Sequence, residues 1–249
     1  MDEATRQATA IRNWYLSDSA TSVKQGIRAL LDEALPTSFG YHLCEMADFE
    51  FESFAQSSKI NHCFQFSPRG LVVGAAEQLP FESESIDVII ALHSLDTAEY
   101  PHQVLREIQR VLTPQGQLFL VGFNPVSIQG LLRMVPSMVG HRIHPRISVN
   151  RLDDWFQLLG FERAGTRYLG HFANSASYKL LQEFLTRCSQ WLEDHRMPAG
   201  RLYCVRAIKQ VSALHRPQLW KHKPRLRVIG LKESASAPRQ ARGRGLEHE

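Results

Sequence analysis

Two short, uninterrupted apolar runs, Ile86 to Leu92 and Gln117 to Phe123, flank a segment whose apolar residues recur every three or four positions. Runs of this length, rich in branched side chains, are what strands buried on both faces of a parallel sheet require. Between them Val104, Leu105, Ile108, Val111 and Leu112 share one helical face, and Arg106, Glu107 and Arg110 take the other. Thr113-Pro114-Gln115-Gly116 ends that helix before the second run. Strand, helix, strand in this rhythm predicts a parallel α/β sheet.

The same pattern continues to either side. Ser22 to Leu35 predicts a helix with Val23, Ile27, Leu30, Leu31 and Ala34 inward and Pro36 just past its end. Phe39 to Cys44, Ile60 to Phe66 and Gly70 to Val73 read as strands, with a short helix over Phe49 to Ser57. After Phe123 a helix is expected over Ile128 to Val135. Another is expected within Ile147 to Gly160, where Ser148 is placed to cap and Leu152, Trp155, Phe156 and Leu159 share a face. A strand opens at Phe161, a helix is expected over Tyr178 to Leu192, and a last strand spans Leu202 to Lys209. The sum is an α/β, Rossmann-like, seven-stranded, mostly parallel sheet with helices on both faces.

A chain of 249 residues, 43% apolar, has room for one such domain and not for two. We divide it into an N-terminal helical extension (1–36), the α/β domain (37–211) and a tail (212–249). The net charge of +4 conceals an asymmetry, because residues from Arg201 onward carry +9 and the preceding 200 carry −5. The basic character therefore belongs to the tail, where HRPQLWKHKPRLR (215–227) sets an aromatic among cations, a composition able to track a phosphate backbone, although a disordered extension is the more economical reading. No window approaches the ~18 apolar residues of a membrane span, and the acidic start lacks the pattern of a secretory leader, so the expected location is cytoplasmic. Cys44, Cys63, Cys188 and Cys204 show neither C-x-x-C nor metal-ligand spacing and are expected to be reduced, with no metal site.

The segment GAAEQLPF at 74–81, followed by Ile86-Asp87, resembles the G-D-A-E-x-L-P-F and F-D pattern of the class I S-adenosylmethionine-dependent methyltransferases of the small-molecule type. The resemblance covers about half the chain. It implies S-adenosylmethionine as cofactor, lying across the carboxyl ends of the first and fourth predicted strands, with the loop around Ala75 cupping the adenine.

The chain also departs from that pattern. FGYHLCEMADFE (39–50) lacks the glycines of the turn after the first strand, where glycine admits positive φ and close approach of the donor's carboxypropyl and ribose groups. Ala75 stands where the family has aspartate, and Ser67 where an acid usually holds the ribose hydroxyls. These departures favour, as the competing reading, a methyltransferase-like binding or regulatory protein that has lost its cofactor.

The candidate cofactor-binding residues implied by the resemblance are Cys44, Glu45, Ala75, Ala76, Glu77, Leu92 and His93. His93, in a segment similar to the family's H-x-L-E-H but with Asp96 and Thr97 in place of the acid and second histidine, is the candidate catalytic base; the alternative is a strand cap that moves no proton. Asn124 either orients an acceptor or caps the next helix. His141, Arg142, His144 and Arg146 form a charged group in the following loop. The expected partner is a small-molecule acceptor, with nucleic acid reachable only through the tail and no membrane span.

Overall fold

The structure is a computed structural model describing residues 3–67, 70–125, 127, 147–170 and 200–210. Those residues belong to one compact unit, Met1–Ser212. The basic tail, the expected helices at 128–135 and 178–192, and the group His141, Arg142, His144 and Arg146 lie outside the described residues.

Five α-helices and six strands are described: α1 (Glu3–Leu16), α2 (Thr21–Ala34), β1 (His42–Met46), β2 (His62–Phe66), β3 (Ile86–Leu92), α3 (Ser94–Thr97), α4 (Pro101–Val111), β4 (Leu112–Phe123), α5 (Val149–Leu159), β5 (Phe161–Leu169) and β6 (Leu202–Lys209). They build one sheet in the order β2-β1-β3-β4-β6-β5. β1, β2, β3 and β4 are parallel, whereas β6 runs antiparallel to both β4 and β5. The expected sheet is therefore found with six strands among the described residues, not seven. The missing one is Gly70 to Val73, where only Val72 bridges to Phe66. Leu71 and Val73 stay exposed among the described residues, and the chain turns at once into the Ala75/Gln78 bridge.

Each face of the sheet carries a core. On one, Val104, Leu105, Ile108 and Val111 of α4 and Leu152 and Phe156 of α5 meet Cys44, Met46, Ile89, Ala91, Leu118 and Leu120. On the other, Ile11, Trp14 and Tyr15 of α1 and Val23, Ile27 and Leu31 of α2 meet Leu43, Val88, Ile90, Leu92, Phe119 and Phe123. The alternation along β1 and β3 between the two clusters is the period-two signature of a central strand. α1 and α2 thus share a core with the sheet. α5 begins where the sequence places it, with Ser148 Oγ accepting from the Arg151 amide at 3.4 Å, and ends at Gly160 in the left-handed region (φ 73°).

Two local departures bear on the site. β1 runs on to Met46 rather than bending at Cys44. The helix expected over Phe49 to Ser57 is reduced to a single 3-10 turn at Ala55–Ser57. Its cause is Glu45, whose carboxylate faces the α2 side and accepts from the Phe54 amide at 2.6 Å and from Ser53 Oγ at 2.7 Å, capturing a backbone donor that a helix would use internally.

Candidate functional site

The carboxyl ends of β1 and β3 open into a cleft of about 750 Å³, within the range of small-molecule sites. Asp48, Phe49 and Glu50, which follow β1, form one wall. Ala75, Ala76 and Glu77 form a second, and Thr97 to Tyr100 with Gln103 form a third. α1 lies along the remaining side through Ala4, Thr5, Ala8, Thr9 and Arg12.

The loop carrying Ala75 to Glu77 is fixed from α4. Glu107 Oε2 accepts from the Leu79 amide at 3.0 Å, while Arg110 donates to the carbonyls of Phe81 at 3.0 Å and Leu79 at 3.1 Å and pairs with Glu107 at 2.8 Å. The hydrogen bond from Arg110 holds the Glu107 carboxyl below its usual range. Glu77 ties the second wall to the third, its Oε1 accepting from the Glu99 amide at 3.2 Å and its carbonyl from Gln103 Nε2 at 3.3 Å. Asp48 is bonded by the Thr97 hydroxyl, and burial raises its carboxyl pKa, with Glu77 adding to the effect. Arg12 reaches across from α1 to Glu50 at 3.2 Å.

Of the seven residues expected at the cofactor, Ala75, Ala76 and Glu77 line this cleft. The other four, Cys44, Glu45, Leu92 and His93, are not among its lining residues: β1 continues two residues past Cys44, so the turn falls on Ala47 to Glu50, and Leu92 and His93 at the end of β3 are wholly buried. Cys44 is buried in the α4-side core, where desolvation pushes its thiol up to about 12. Glu45 serves the 53–55 segment, and burial raises its carboxyl pKa. Leu92 points into the α1/α2 core.

His93 closes β3 with a left-handed backbone (φ 55°, ψ 14°) and is wholly buried. A non-glycine residue holds that conformation only where its surroundings fix it. Here its ring lies 4.3 Å from that of Phe123, its Nδ1 is 2.8 Å from Asp96 Oδ2, and its Nε2 is 3.0 Å from the Tyr15 hydroxyl. Asp96 Oδ2 also accepts from the Phe123 amide at 3.0 Å. The consistent assignment has Nδ1–H donating to Asp96 and Nε2 accepting from Tyr15. Burial, reinforced by Asp96, raises the Tyr15 phenol pKa far above its usual value and keeps it a donor. Both ring nitrogens are thereby engaged, Nε2 in fastening α1 to the end of β3 and Nδ1 in holding the turn into α3.

Asn124 donates from Nδ2 to the Gly200 carbonyl at 2.9 Å and from its amide to that of Arg201 at 2.8 Å, joining the end of β4 to the approach to β6. Ser67 is buried, its amide bonded to the Val72 carbonyl. The residues missed from sequence are Asp48, Phe49, Glu50 and the cleft-facing positions of α1. A signal for α1 was present in Ala8, Ile11, Trp14 and Tyr15, whose helical spacing marks a buried stripe. Among the described residues no group of three or more His, Cys, Asp or Glu is placed to hold a metal, and no helix is long and apolar enough to cross a membrane.

Residues 41–120 match the family model described as a methyltransferase domain, and the sheet order shares its fold with solved S-adenosylmethionine-dependent methyltransferases. Among curated proteins the chain is 33% identical over 131 residues to the uncharacterized protein YafS of Escherichia coli (strain K12), covering 50% of this chain and 54% of that protein. It is 30% identical over 98 residues to the mitochondrial 2-methoxy-6-polyprenyl-1,4-benzoquinol methylase of Caenorhabditis elegans, covering 39% of this chain and 31% of that one. The chain thus spans about half the length of the first of these relatives and a third of the second. Among solved structures, a SAM-dependent methyltransferase from Thermotoga maritima superposes with a TM-score of 0.54 at 17% identity, over 84% of this chain and 100% of that one. That likeness is one of fold.

Proposed function

We propose that the chain binds S-adenosylmethionine in the cleft at the ends of β1 and β3 and transfers its methyl group to a small-molecule acceptor. The observation that carries this reading is that the three loops expected to enclose the cofactor converge, through Asp48 to Glu50, Ala75 to Glu77 and Thr97 to Tyr100, on one cavity of sufficient size. The methyltransferase family model spans the same three loops. The Caenorhabditis relative carries a benzoquinol, a small molecule, in its name.

The cofactor supplies an electrophilic methyl group on a sulfonium, and transfer is an in-line displacement in which the protein's part is to orient the reactants and exclude water. Ala75 and Ala76 offer a flat, apolar wall for a purine. Asp48, Glu50 and Glu77 give that cavity the negative character that suits a cationic donor, and α1 restricts access of solvent from its open side. His93 is wholly buried beneath the cleft with both nitrogens bonded, so we assign it the role of holding α1 and the turn into α3 in place. A proton acceptor is required only where the acceptor atom must lose one.

A second reading, a scaffold that has lost its cofactor, is favoured by the absence of a helix after β1 and by Ala75 and Ser67 in place of acids. Calorimetric titration of the cofactor-stripped protein with S-adenosylmethionine and S-adenosylhomocysteine separates the two. A stoichiometric signal is expected, with stabilisation of about 2.7 kcal/mol at a hundredfold excess over the dissociation constant. No heat and no thermal shift at millimolar ligand would refute the enzyme and leave the scaffold.

A further inference from the structure

An S-adenosylmethionine donor ends in an α-amino acid, and its carboxylate needs a cationic or amide partner wherever it is held. In this chain the usual supply of such partners is reduced. The turn after β1 has no glycine, the helix that would follow it is absent, the Ala47 amide is taken by the Phe66 carbonyl at 3.1 Å and the Phe54 amide by Glu45. The cleft is otherwise lined by Asp48, Glu50, Glu77 and Glu99, a field that repels an anion. Among its described lining residues Arg12 is the single cation.

Resting on the cofactor reading above, the geometry points to Arg12 of α1 as the residue that binds the donor's carboxylate. We draw this from position and access together. Arg12 sits on the helix that covers the cleft, its guanidinium extended to Glu50 at 3.2 Å, and the side chains of both remain partly open to solvent, at 43% and 35%. A guanidinium presents five donors in a plane, so it can take a carboxylate while a neighbouring acid keeps it aimed across the cavity. Glu50, on the opposite wall, is then beside the donor's α-ammonium. The pair Arg12 and Glu50 is the charge complement of a zwitterion, supplied by side chains where a glycine-rich turn and helix would supply backbone.

The test uses the full chain, stripped of cofactor, and two ligands that differ in the part concerned: S-adenosylhomocysteine, which carries the amino acid, and 5′-methylthioadenosine, which lacks it. Arg12→Met is expected to weaken S-adenosylhomocysteine about tenfold or more while leaving methylthioadenosine within about twofold. Arg12→Lys, which keeps a point charge without the fork, is expected to fall between. Unfolding curves of the variants check that α1 is retained. Equal weakening of both ligands by Arg12→Met, or no weakening of either, would overturn the assignment with the cofactor reading intact. Failure of the unmodified chain to bind either ligand would overturn the cofactor reading itself, and this assignment with it.

Discussion

Tyr15→Phe removes one hydroxyl from a fully buried contact and little else, since the phenyl ring keeps its place against Trp14, Phe49 and His93. The hydroxyl lies 3.0 Å from His93 Nε2, in a site where neither residue meets solvent. Its loss strands the imidazole nitrogen without a partner, and a buried polar group left unsatisfied costs about 1–3 kcal/mol. The ring is retained, so no cavity large enough for water is created to offset that loss. The effect should appear in urea unfolding followed by far-UV circular dichroism as a lowered midpoint with an unchanged slope. Trp14 packs on Tyr15 at a ring separation of 5.0 Å, so in a background with Trp155, Trp191 and Trp220 replaced by Phe its fluorescence reports on α1. Tyr41→Phe serves as the control, because Tyr41 is 82% exposed and its hydroxyl should contribute nothing measurable. A change in stability below about 0.5 kcal/mol for Tyr15→Phe would refute the view that His93 fastens α1, and would return His93 to consideration as a base free to accept a proton.

Two further variants probe the frame of the site. Gly122→Ala would place a methyl group 2.4 Å from the Tyr203 hydroxyl oxygen and 2.5 Å from the ring carbon bearing it, in a buried position; overpacking of this kind costs about 1–3 kcal/mol, read as a lowered melting temperature, and an unchanged one would show that Tyr203 has room to move. Glu107→Gln tests the clamp on the loop carrying Ala75 to Glu77 through pH. The folded-state carboxyl pKa of Glu107 lies below its ordinary 4.5, so its contribution is full above that value and is lost as pH falls through the folded-state pKa. The unmodified chain should therefore be the more stable at pH 7, with the difference from Glu107→Gln shrinking from about pH 5 downward. A difference independent of pH would mean that the ion pair with Arg110 carries none of it.

How far the molecule was legible in its sequence follows from how local each determinant is. β3, α4, α5 and β6 are set by their own periodicity and stop signals, so Ile86 to Leu92, the face of Val104 to Val111, the cap at Ser148 and the run Leu202 to Lys209 all fall where the pattern puts them. The end of β1 is different. Leu43, Cys44, Glu45 and Met46 alternate between two cores, and the position at which pairing with β2 and β3 ceases depends on those neighbours, not on a breaker in the sequence. A misplacement by a few residues moved Cys44 and Glu45 into the expected turn and left Asp48 to Glu50 unread. The lost helix had the same cause, since a buried acid eight or nine residues upstream competes for the amide and hydroxyl at Ser53 and Phe54. The expected third strand had apolar residues, but among the described residues Leu71 and Val73 meet no surface that buries them.

These particulars change what the absent glycines mean. A glycine-rich turn holds a ligand with backbone that is rigid once the sheet forms, so affinity is nearly independent of what lies in front of the strand ends. Here the wall facing Asp48 to Glu50 is α1, which precedes the sheet in the chain, seated by Ile11, Trp14 and Tyr15 and bonded through Tyr15 to His93. Any ligand that touches both α1 and the sheet stabilises their association by its own binding free energy, and anything that loosens α1 weakens the ligand by the same amount. Tyr15→Phe and Arg12→Met then separate two contributions: the first acts on every ligand that needs α1 in place, the second only on a ligand that brings a carboxylate. The sequence features that read as decay of a cofactor site read equally, in the folded chain, as transfer of its polar contacts from backbone to a helix.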